Sequence, residues 1–237
     1  MKFKLLKATV ASLALSVYAS SAFAGLITNG DFETGDFSGW SVSQSGGSTQ
    51  TVLPASGDPS LGASPTSDFY AFAGNQSGPS QNIFWQSVVV PNNLLSANFS
   101  FDYAYQNFGS GFSSPNTLAF NNVSNQQFRV EILLGSSLFD SVAPSDIVFS
   151  ALQTNPGDNN TQSWTSFNQN ITASLLSLQG QNVLVRFAQA DNSGPFDIGF
   201  DNVSITTETT SVPEPSTLAI FALGIMGLAS RKFNKKA

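Results

Sequence analysis

The chain has 237 residues, of which 41% are hydrophobic and 10% are charged, and it contains no Cys and no His. The missing Cys excludes disulfide bonds. The missing His excludes the Ser-His-Asp and Cys-His nucleophile systems and the usual zinc ligands.

The basic residues are concentrated at the two ends of the chain. Three precede Ala8 and four follow Ser230, so residues 8–230 hold only Arg129 and Arg186 against all fifteen acidic residues, a net charge of −13. Such a segment repels phosphate backbones, which excludes nucleic acid as a partner. The same segment has no Lys, which excludes Schiff-base chemistry.

The N-terminus predicts a secretory signal peptide over residues 1–24, used by the Sec export machinery. Its positive region consists of Lys2, Lys4 and Lys7. An apolar stretch over residues 8–19 follows, and Ala22 and Ala24 form the small-x-small cleavage site. The mature chain is therefore expected to start at Gly25. An N-terminal membrane anchor and an ordinary helix are the alternatives.

Residues 25–206 alternate short apolar strands with turns rich in Gly, Pro and Asn, which is typical of an antiparallel sandwich or barrel. The clearest strand covers residues 99–105, where four aromatic side chains share one face and are read as core, with a ligand platform as the alternative. Further strands are predicted at residues 41–52, 69–73, 83–90, 128–134, 147–152, 183–189 and 200–205. A short helix or turn is predicted at residues 171–178, with Thr172 as its cap.

Two stretches at opposite ends of this segment stand out. They read LITNGDFETGDFSGW at residues 26–40 and FDIGFDNVSI at residues 196–205. Together they resemble the galactose-binding-like jelly rolls, which include many carbohydrate-binding modules. The resemblance implies an all-β fold, a two-sheet antiparallel jelly-roll β-sandwich whose first and last strands are neighbours. Trp40, which ends the first stretch, is predicted to lie in the core, with sugar stacking as the alternative.

A structural calcium site is predicted where the first and last strands would meet. Calcium takes six to eight oxygen ligands from carboxylates, carbonyls and water. In the resembling jelly rolls this place holds a calcium ion, and Glu33 and Asp201 match its acidic ligands, with oxygens near Asn29 and Asp31 completing the shell. In the alternative interpretation, Glu33 caps a turn and Asp201 accepts hydrogen bonds from backbone amides.

A sugar site needs an exposed aromatic ring together with groups that bond hydroxyls. The candidates are Trp85, Gln86, Arg129 and Arg186. Both arginines occupy strand centres on the face opposite the apolar residues, so both are predicted on an outer or concave face of a sheet. For Arg186, an ion pair with Asp102 or Glu131 is the alternative to a role in ligand binding.

The C-terminal 26 residues combine three unlike features. The extended segment VPEPST at residues 212–217 precedes an apolar run from Leu218 to Ala229. A basic cluster follows, made of Arg231, Lys232, Lys235 and Lys236. As a helix the apolar run would be about 18 Å long, short of the ~20 residues that cross a bilayer comfortably.

This order resembles the PEP-CTERM sorting signal of Gram-negative bacteria. The resemblance implies recognition by a membrane-embedded exosortase and export to the outer envelope, the cell surface or an extracellular matrix, after a transient stage in the inner membrane. Processing is expected near Val212, Pro213, Glu214 and Pro215, beyond a short linker at residues 207–211. A hydrophobic C-terminal helix that serves as a permanent anchor is the alternative.

The combined prediction is an exported, non-catalytic β-sandwich that associates with extracellular polysaccharide. A purely structural surface protein that binds no sugar is the first alternative. A glycoside hydrolase that uses two carboxylates is the second, with Asp102 and Glu131 as the candidate pair if both face one groove.

Overall fold

The computed structural model describes residues 21–64, residues 68–210 and the single residue Gly224. Residues 22–209 form one compact unit, and residues 1–21 and 210–237 belong to a second. The second unit lies almost entirely outside the described residues, and with it most of the predicted signal peptide, the Val212–Pro215 motif, the apolar run and the basic cluster.

The first unit is an all-β sandwich with one short helix. Its strands are β1 (Ser21–Gly25), β2 (Ser41–Pro54), β3 (Phe69–Val89), β4 (Leu94–Asn107), β5 (Gln126–Leu134), β6 (Ile147–Gln153), β7 (Thr161–Asn170), β8 (Asn182–Asp191) and β9 (Phe196–Thr210). The helix α1 covers Thr172–Leu175 and continues as a 3-10 turn over Leu176–Leu178. Every pair with a described register is antiparallel.

The long strand β3 joins two layers. Its residues 80–89 pair with β8, whereas its residues 71–73 pair with β9. The first layer is therefore β6-β5-β8-β3-β2, and the second is β2-β3-β9-β4-β7 with β1 beside β9. The strand β2 follows the bend with a register shift between Gly46 and Ser48. Gly46 has φ +89° there, and a Cβ on it would lie 2.1 Å from the Pro79 carbonyl oxygen, so this position requires glycine.

The core lies between the two layers and is mainly aromatic. Phe84, Phe128 and Phe187 enter it from the first layer, and Phe101 and Phe200 enter it from the second. All five are at most 1% exposed. In β4, alternate residues enter this core, as the sequence predicts for residues 99–105, and the aromatic row is core. Because all of these rings belong to residues 22–209, this unit holds its own core.

The ends of this unit meet, as the resemblance implied. The Leu26 N–H donates to the Ile205 carbonyl at 2.9 Å, and the Val203 N–H donates to the Gly30 carbonyl at 2.8 Å. The strand β1 pairs with β9 and spans the cleavage site predicted after Ala24. The residues before Gly25 were expected to belong to a signal helix; the structure instead describes residues 21–24 as strand.

The structure corrects three local predictions. The strands predicted at residues 69–73 and 83–90 are parts of the single strand β3. For strand β7 the sequence indicates only that a strand starts near Trp164, because the segment TQSWTSFNQN is mostly polar. Thr172 does not cap α1, since its hydroxyl accepts a hydrogen bond from the Ala97 N–H at 2.9 Å instead.

Candidate functional site

The junction of the first and last segments brings the predicted calcium ligands into one region. Gly30 contacts the β9 backbone so closely that a Cβ on it would lie 1.9 Å from the Val203 carbonyl oxygen. Asn29 and Asp31 line a shallow depression of about 290 Å³ together with Asn202 and other residues of β9.

The carboxylates at this junction have hydrogen-bond partners within the chain. Glu33 Oε1 accepts from the backbone N–H groups of Asp68 and Phe69 at 2.9 and 3.1 Å. Asp201 accepts from the Ser64 hydroxyl at 2.9 Å and from the Asn202 N–H at 2.7 Å. The alternative interpretation is met only in part: Asp201 accepts from one backbone amide, whereas Glu33 binds backbone N–H groups about 35 positions away and not a turn of its own.

The oxygens of Asn29 accept hydrogen bonds as well. Its Oδ1 accepts from the Thr34 N–H at 3.4 Å, and its carbonyl accepts from the Trp40 indole N–H at 3.0 Å. Across residues 21–64 and 68–210, no group of three or more acidic side chains converges to hold a metal ion. Structural calcium stays a prediction.

The outer face of the first layer carries a row of chemically distinct side chains. Trp85 on β3, Arg186 on β8 and Glu131 on β5 occupy adjacent register positions. Arg186 forms an ion pair with Glu131, whose other carboxylate oxygen lies 3.1 Å from Arg129 Nη1. Arg129 and Arg186 are only 4% and 0% exposed. Both lie on the predicted face, but they are buried, and Arg186 has the ion pair that the sequence gave as the alternative.

A loop explains the burial of Arg186. Residues 135–146, which connect β5 to β6, fold over the outer face. Arg186 Nη1 donates to the Phe139 and Ser141 carbonyls at 2.8 and 2.6 Å and so holds the loop in place. Burial lowers the pKa of Arg186 from its ordinary value, although Glu131 and, more weakly, Asp140 oppose this effect.

The same loop provides a stacking partner for Trp85. The rings of Trp85 and Phe139 are parallel within 4° and their centroids are 4.3 Å apart. Trp85 is half-buried, and its indole N–H donates to none of the described residues. Its neighbour Gln86 points away from this face, since its amide exchanges two hydrogen bonds with the Thr28 backbone at 2.7 and 2.9 Å. Trp85 and Gln86 therefore do not form one site.

A depression of about 260 Å³ lies on the same side of the first layer as the Trp85–Phe139 stack, although neither ring lines it. We call it the outer cleft. It is lined by Gln81, Thr117, Leu118, Ala119, Phe120, Asn121 and Asp140. Gln81 lies on the same face of β3 as Trp85, four residues away, or about 13 Å along the strand. Its amide nitrogen donates to the Leu118 carbonyl at 3.0 Å, and its Oε1 accepts no hydrogen bond from the described residues. Asn121 and Asp140 are exposed.

The two other tryptophans have structural contacts. Trp40 is 8% exposed and its indole N–H donates to the Asn29 carbonyl at 3.0 Å, so the prediction that it lies in the core is confirmed. Trp164 packs edge-on against Tyr70, with ring centroids 5.2 Å apart, and donates to the Gly62 carbonyl at 3.1 Å.

The carboxylate pair considered for glycoside hydrolysis is not brought together. Asp102 lies on the outer face of the second layer, where it accepts from Ser166 at 2.5 Å and from Asn202 at 2.9 Å. Glu131 lies on the outer face of the first layer with its two arginines. The core separates the two side chains, so they do not share a groove.

Two buried carboxyl groups, those of Asp191 and Asp197, were not predicted from the sequence. Burial raises the pKa of Asp191 to about 7 and the pKa of Asp197 to about 6. Asp191 accepts from Ser80 Oγ at 2.8 Å, whereas Asp197 Oδ1 is buried with no hydrogen-bond partner among the described residues. Phe139 and Asp140 were missed as well, because nothing in the loop sequence shows that it folds back onto β8.

The C-terminal residues 211–235 match the family model of the PEP-CTERM protein-sorting motif. This confirms the resemblance of the tail and implies an exported protein that exosortase processes and that reaches the cell surface of a Gram-negative bacterium. Among the residues that the structure describes, there is no helix with the length and hydropathy needed to span a bilayer.

The chain is also similar to several solved structures at low identity. TmCBM61 in complex with beta-1,4-galactotriose shares 14% identity over 79% of this chain and 99% of that chain, with a TM-score of 0.47. The Stig cyclase Fisc from Fischerella sp. TAU shares 16% identity over 80% and 100%, with a TM-score of 0.46. The K1 cleaved adhesin domain of Lys-gingipain from Porphyromonas gingivalis W83 shares 13% identity over 81% and 99%, with a TM-score of 0.44. No curated protein matches the chain.

Proposed function

We propose that this exosortase-sorted protein binds extracellular polysaccharide without catalysis, through the outer cleft and the edge of the Trp85–Phe139 stack. The single observation that carries the proposal is a polar depression whose lining residue Asp140 directly follows Phe139, the ring that stacks on Trp85. Amide and carboxylate oxygens next to an aromatic surface are the groups that bond sugar hydroxyls and pack against C–H faces.

Rigid support of the cleft favours this role. Arg186 fixes the carbonyls of residues 139 and 141 from below, so Phe139 and Asp140 are held in position by a buried ion pair. The opposite wall is fixed too, since Gln127 Nε2 donates to the Thr117 carbonyl at 2.8 Å. A preformed site loses little conformational entropy on binding, which suits a module that must recognise a polymer repeat.

A purely structural role is the second candidate, and the tryptophans favour it. Trp40 is in the core, one face of Trp85 is covered by Phe139, and Trp164 is bonded to the chain at Gly62. In that case the sandwich would contribute protein contacts to the surface layer and would bind no sugar.

Affinity electrophoresis or a glycan array with residues 25–211 separates the two candidates. Saturable binding that is weakened by Trp85→Ala, and unchanged in Trp164→Ala, would support a site at the outer cleft. Absence of binding to every glycan would leave the structural role. Release of shortened sugars from a bound polymer would contradict the non-catalytic proposal.

A further inference from the structure

We infer that the polysaccharide is one whose sugars carry free amino groups, such as a partly or fully de-N-acetylated amino-sugar polymer. The inference rests on the proposed function and names the ligand class of the outer cleft.

The first argument is the charge of the protein. Residues 25–211 contain fourteen of the fifteen acidic residues, all except Glu214, and two basic residues, which gives a net charge of −12. Most acidic residues, including Asp31, Asp36, Asp68 and Asp140, are exposed or partly exposed. The summed field of such a body attracts polycations and repels polyanions.

The second argument is that neither basic residue can reach a ligand. Arg129 and Arg186 are at most 4% exposed, and both direct their guanidinium groups to Glu131. The remaining Nη1 contacts of Arg186 go to the carbonyls of the covering loop. A uronate or sulfate group on a polymer would therefore meet no accessible cation among the described residues, although its own solvation would be lost on binding.

The third argument is the chemistry of the cleft. Asp140 is its one charged lining residue, and this exposed carboxylate makes no hydrogen bond or ion pair with the described residues. The Gln81 side-chain oxygen also remains an acceptor. An ammonium group has three donors and no acceptor, so it matches the anionic acceptor and the amide oxygen that line this cleft. A neutral hydroxyl could donate to the same acceptors, but it would gain no charge attraction from Asp140.

The charge of Asp140 is partly balanced from below. Arg186 lies close enough for the Asp140 carboxylate to raise its pKa, but the direct partner of Arg186 is Glu131. Arg129, Arg186, Glu131 and Asp140 together have no net charge. The attraction of amines at long range therefore comes from the acidic body, and Asp140, the exposed member of the four, supplies the direct contact at short range. The long-range part is screened over a Debye length of about 8–10 Å at physiological salt.

Titration calorimetry of residues 25–211 with short oligosaccharides tests the inference. The probes are hexamers of glucosamine, of N-acetylglucosamine, of glucose and of a hexuronic acid, at pH 6 and at two salt concentrations. We expect saturable 1:1 binding that is tightest for the glucosamine hexamer and that weakens as salt rises. Equal or tighter binding of the N-acetylated or glucose hexamer would overturn the inference but leave the proposed function. Binding of none of the hexamers would also overturn the inference, and the proposed function itself would be contradicted only by absence of binding to every glycan of the array.

Two charge-matched variants distinguish a site from general attraction. Asp140→Asn should weaken binding of the glucosamine hexamer about three- to fivefold, as expected for a solvent-accessible ion pair. Asp31→Asn removes the same charge at the other depression and should change the affinity less than twofold. Equal effects of the two variants would show that only the net charge acts, and would overturn the assignment to the outer cleft.

Discussion

The rings of Phe187 and Phe200 stack face to face between the two layers, with centroids 4.1 Å apart and planes 10° apart. One ring belongs to β8 and the other to β9, which do not pair with each other, so the stack connects the two layers directly. Both residues are 0% exposed.

Truncation of either ring should therefore destabilise the whole sandwich. We expect Phe187→Ala and Phe200→Ala each to lower the free energy of unfolding by about 3–5 kcal/mol. The double variant should lose less than the sum, because the two rings contact each other. Urea denaturation followed by fluorescence measures the effect. Phe108→Ala is the control, since Phe108 is 55% exposed and should cost less than about 1 kcal/mol.

Replacing one member of the Arg186–Glu131 ion pair should lower the stability of the protein strongly. Arg186→Met leaves the Glu131 carboxylate buried beside one arginine and frees two loop carbonyls, so we expect a loss of about 3–5 kcal/mol. Glu131→Gln in the same chain should add to the loss, because it leaves Arg129 buried without its carboxylate partner. Chemical denaturation gives the energies, and proteolysis within residues 135–146 reports whether the loop has been released. Normal protection of the loop in Arg186→Met would contradict its role as the anchor.

Asp191 and Asp197 predict a stability that falls as the pH rises. Their folded-state pKa values, about 7 and about 6, are above the value of 3.8 for an unfolded Asp. Between pH 4 and pH 7 the folded chain therefore binds more protons than the unfolded chain, and unfolding becomes easier as these protons leave. The charged and titratable groups near Asp197 are Asp58 in the β2–β3 loop, Tyr70 on β3 and Asp191 on β8. Ser60 Oγ lies 2.9 Å from the Asp197 carboxylate.

The melting temperature should be higher at pH 5 than at pH 8, by on the order of 5 °C. Asp191→Asn keeps an oxygen that can accept from Ser80 but cannot ionise, so it should flatten the dependence and raise the melting temperature at pH 8. Asp158→Asn, at an exposed position, serves as the control. A melting temperature that rises steadily from pH 5 to pH 8 in the parent chain would rule out raised pKa values at these two sites.

Gly30 should be essential to the closure of the sandwich. A side chain there would meet the Val203 carbonyl oxygen at 1.9 Å, and moving that carbonyl away would disturb the neighbouring Val203–Gly30 hydrogen bond. We expect Gly30→Ala to cost more than about 2 kcal/mol. Gly25→Ala is a matched control, because a Cβ at Gly25 meets nothing within 4 Å. Thermal melting of the two variants makes the comparison, and similar melting temperatures would contradict the close approach at Gly30.

The sequence predicted the strands best where buried and exposed residues alternate with a period of two. Residues 99–105 alternate strictly, and their inward face is the face found in the core. Strand β7 packs only part of one face and has no such period. The bend in β3 was hidden because a Gly-rich stretch at residues 74–80 is typical of a turn between two strands, although here it belongs to one strand.

The site was less predictable than the fold. The positions of Trp85, Arg186 and Glu131 on one face follow from strand alternation, but their burial depends on a loop that returns from residues 135–146. Such a contact between residues about 47 positions apart leaves no local pattern. That loop supplies Asp140 to the outer cleft, and residues 117–121 and Gln81 supply the rest of its lining. Because these segments are far apart in the chain, the sequence indicates Trp85 and gives no sign of the cleft.

The effect of calcium on stability tests the metal site predicted at the junction between the first and last segments. An ion there would share Glu33 and Asp201 with the hydrogen bonds that they accept from the backbone at residues 68 and 69 and from Ser64. A stabilising ion would raise the melting temperature of residues 25–211 with increasing calcium concentration, according to RT ln(1 + [L]/Kd), and a chelator would reverse the shift. Glu33→Gln should abolish the shift, whereas Asp158→Asn should retain it. The hydrogen bonds of Glu33 and Asp201 instead predict overlapping melting curves with calcium and with chelator, and a lower melting temperature for Glu33→Ala in both.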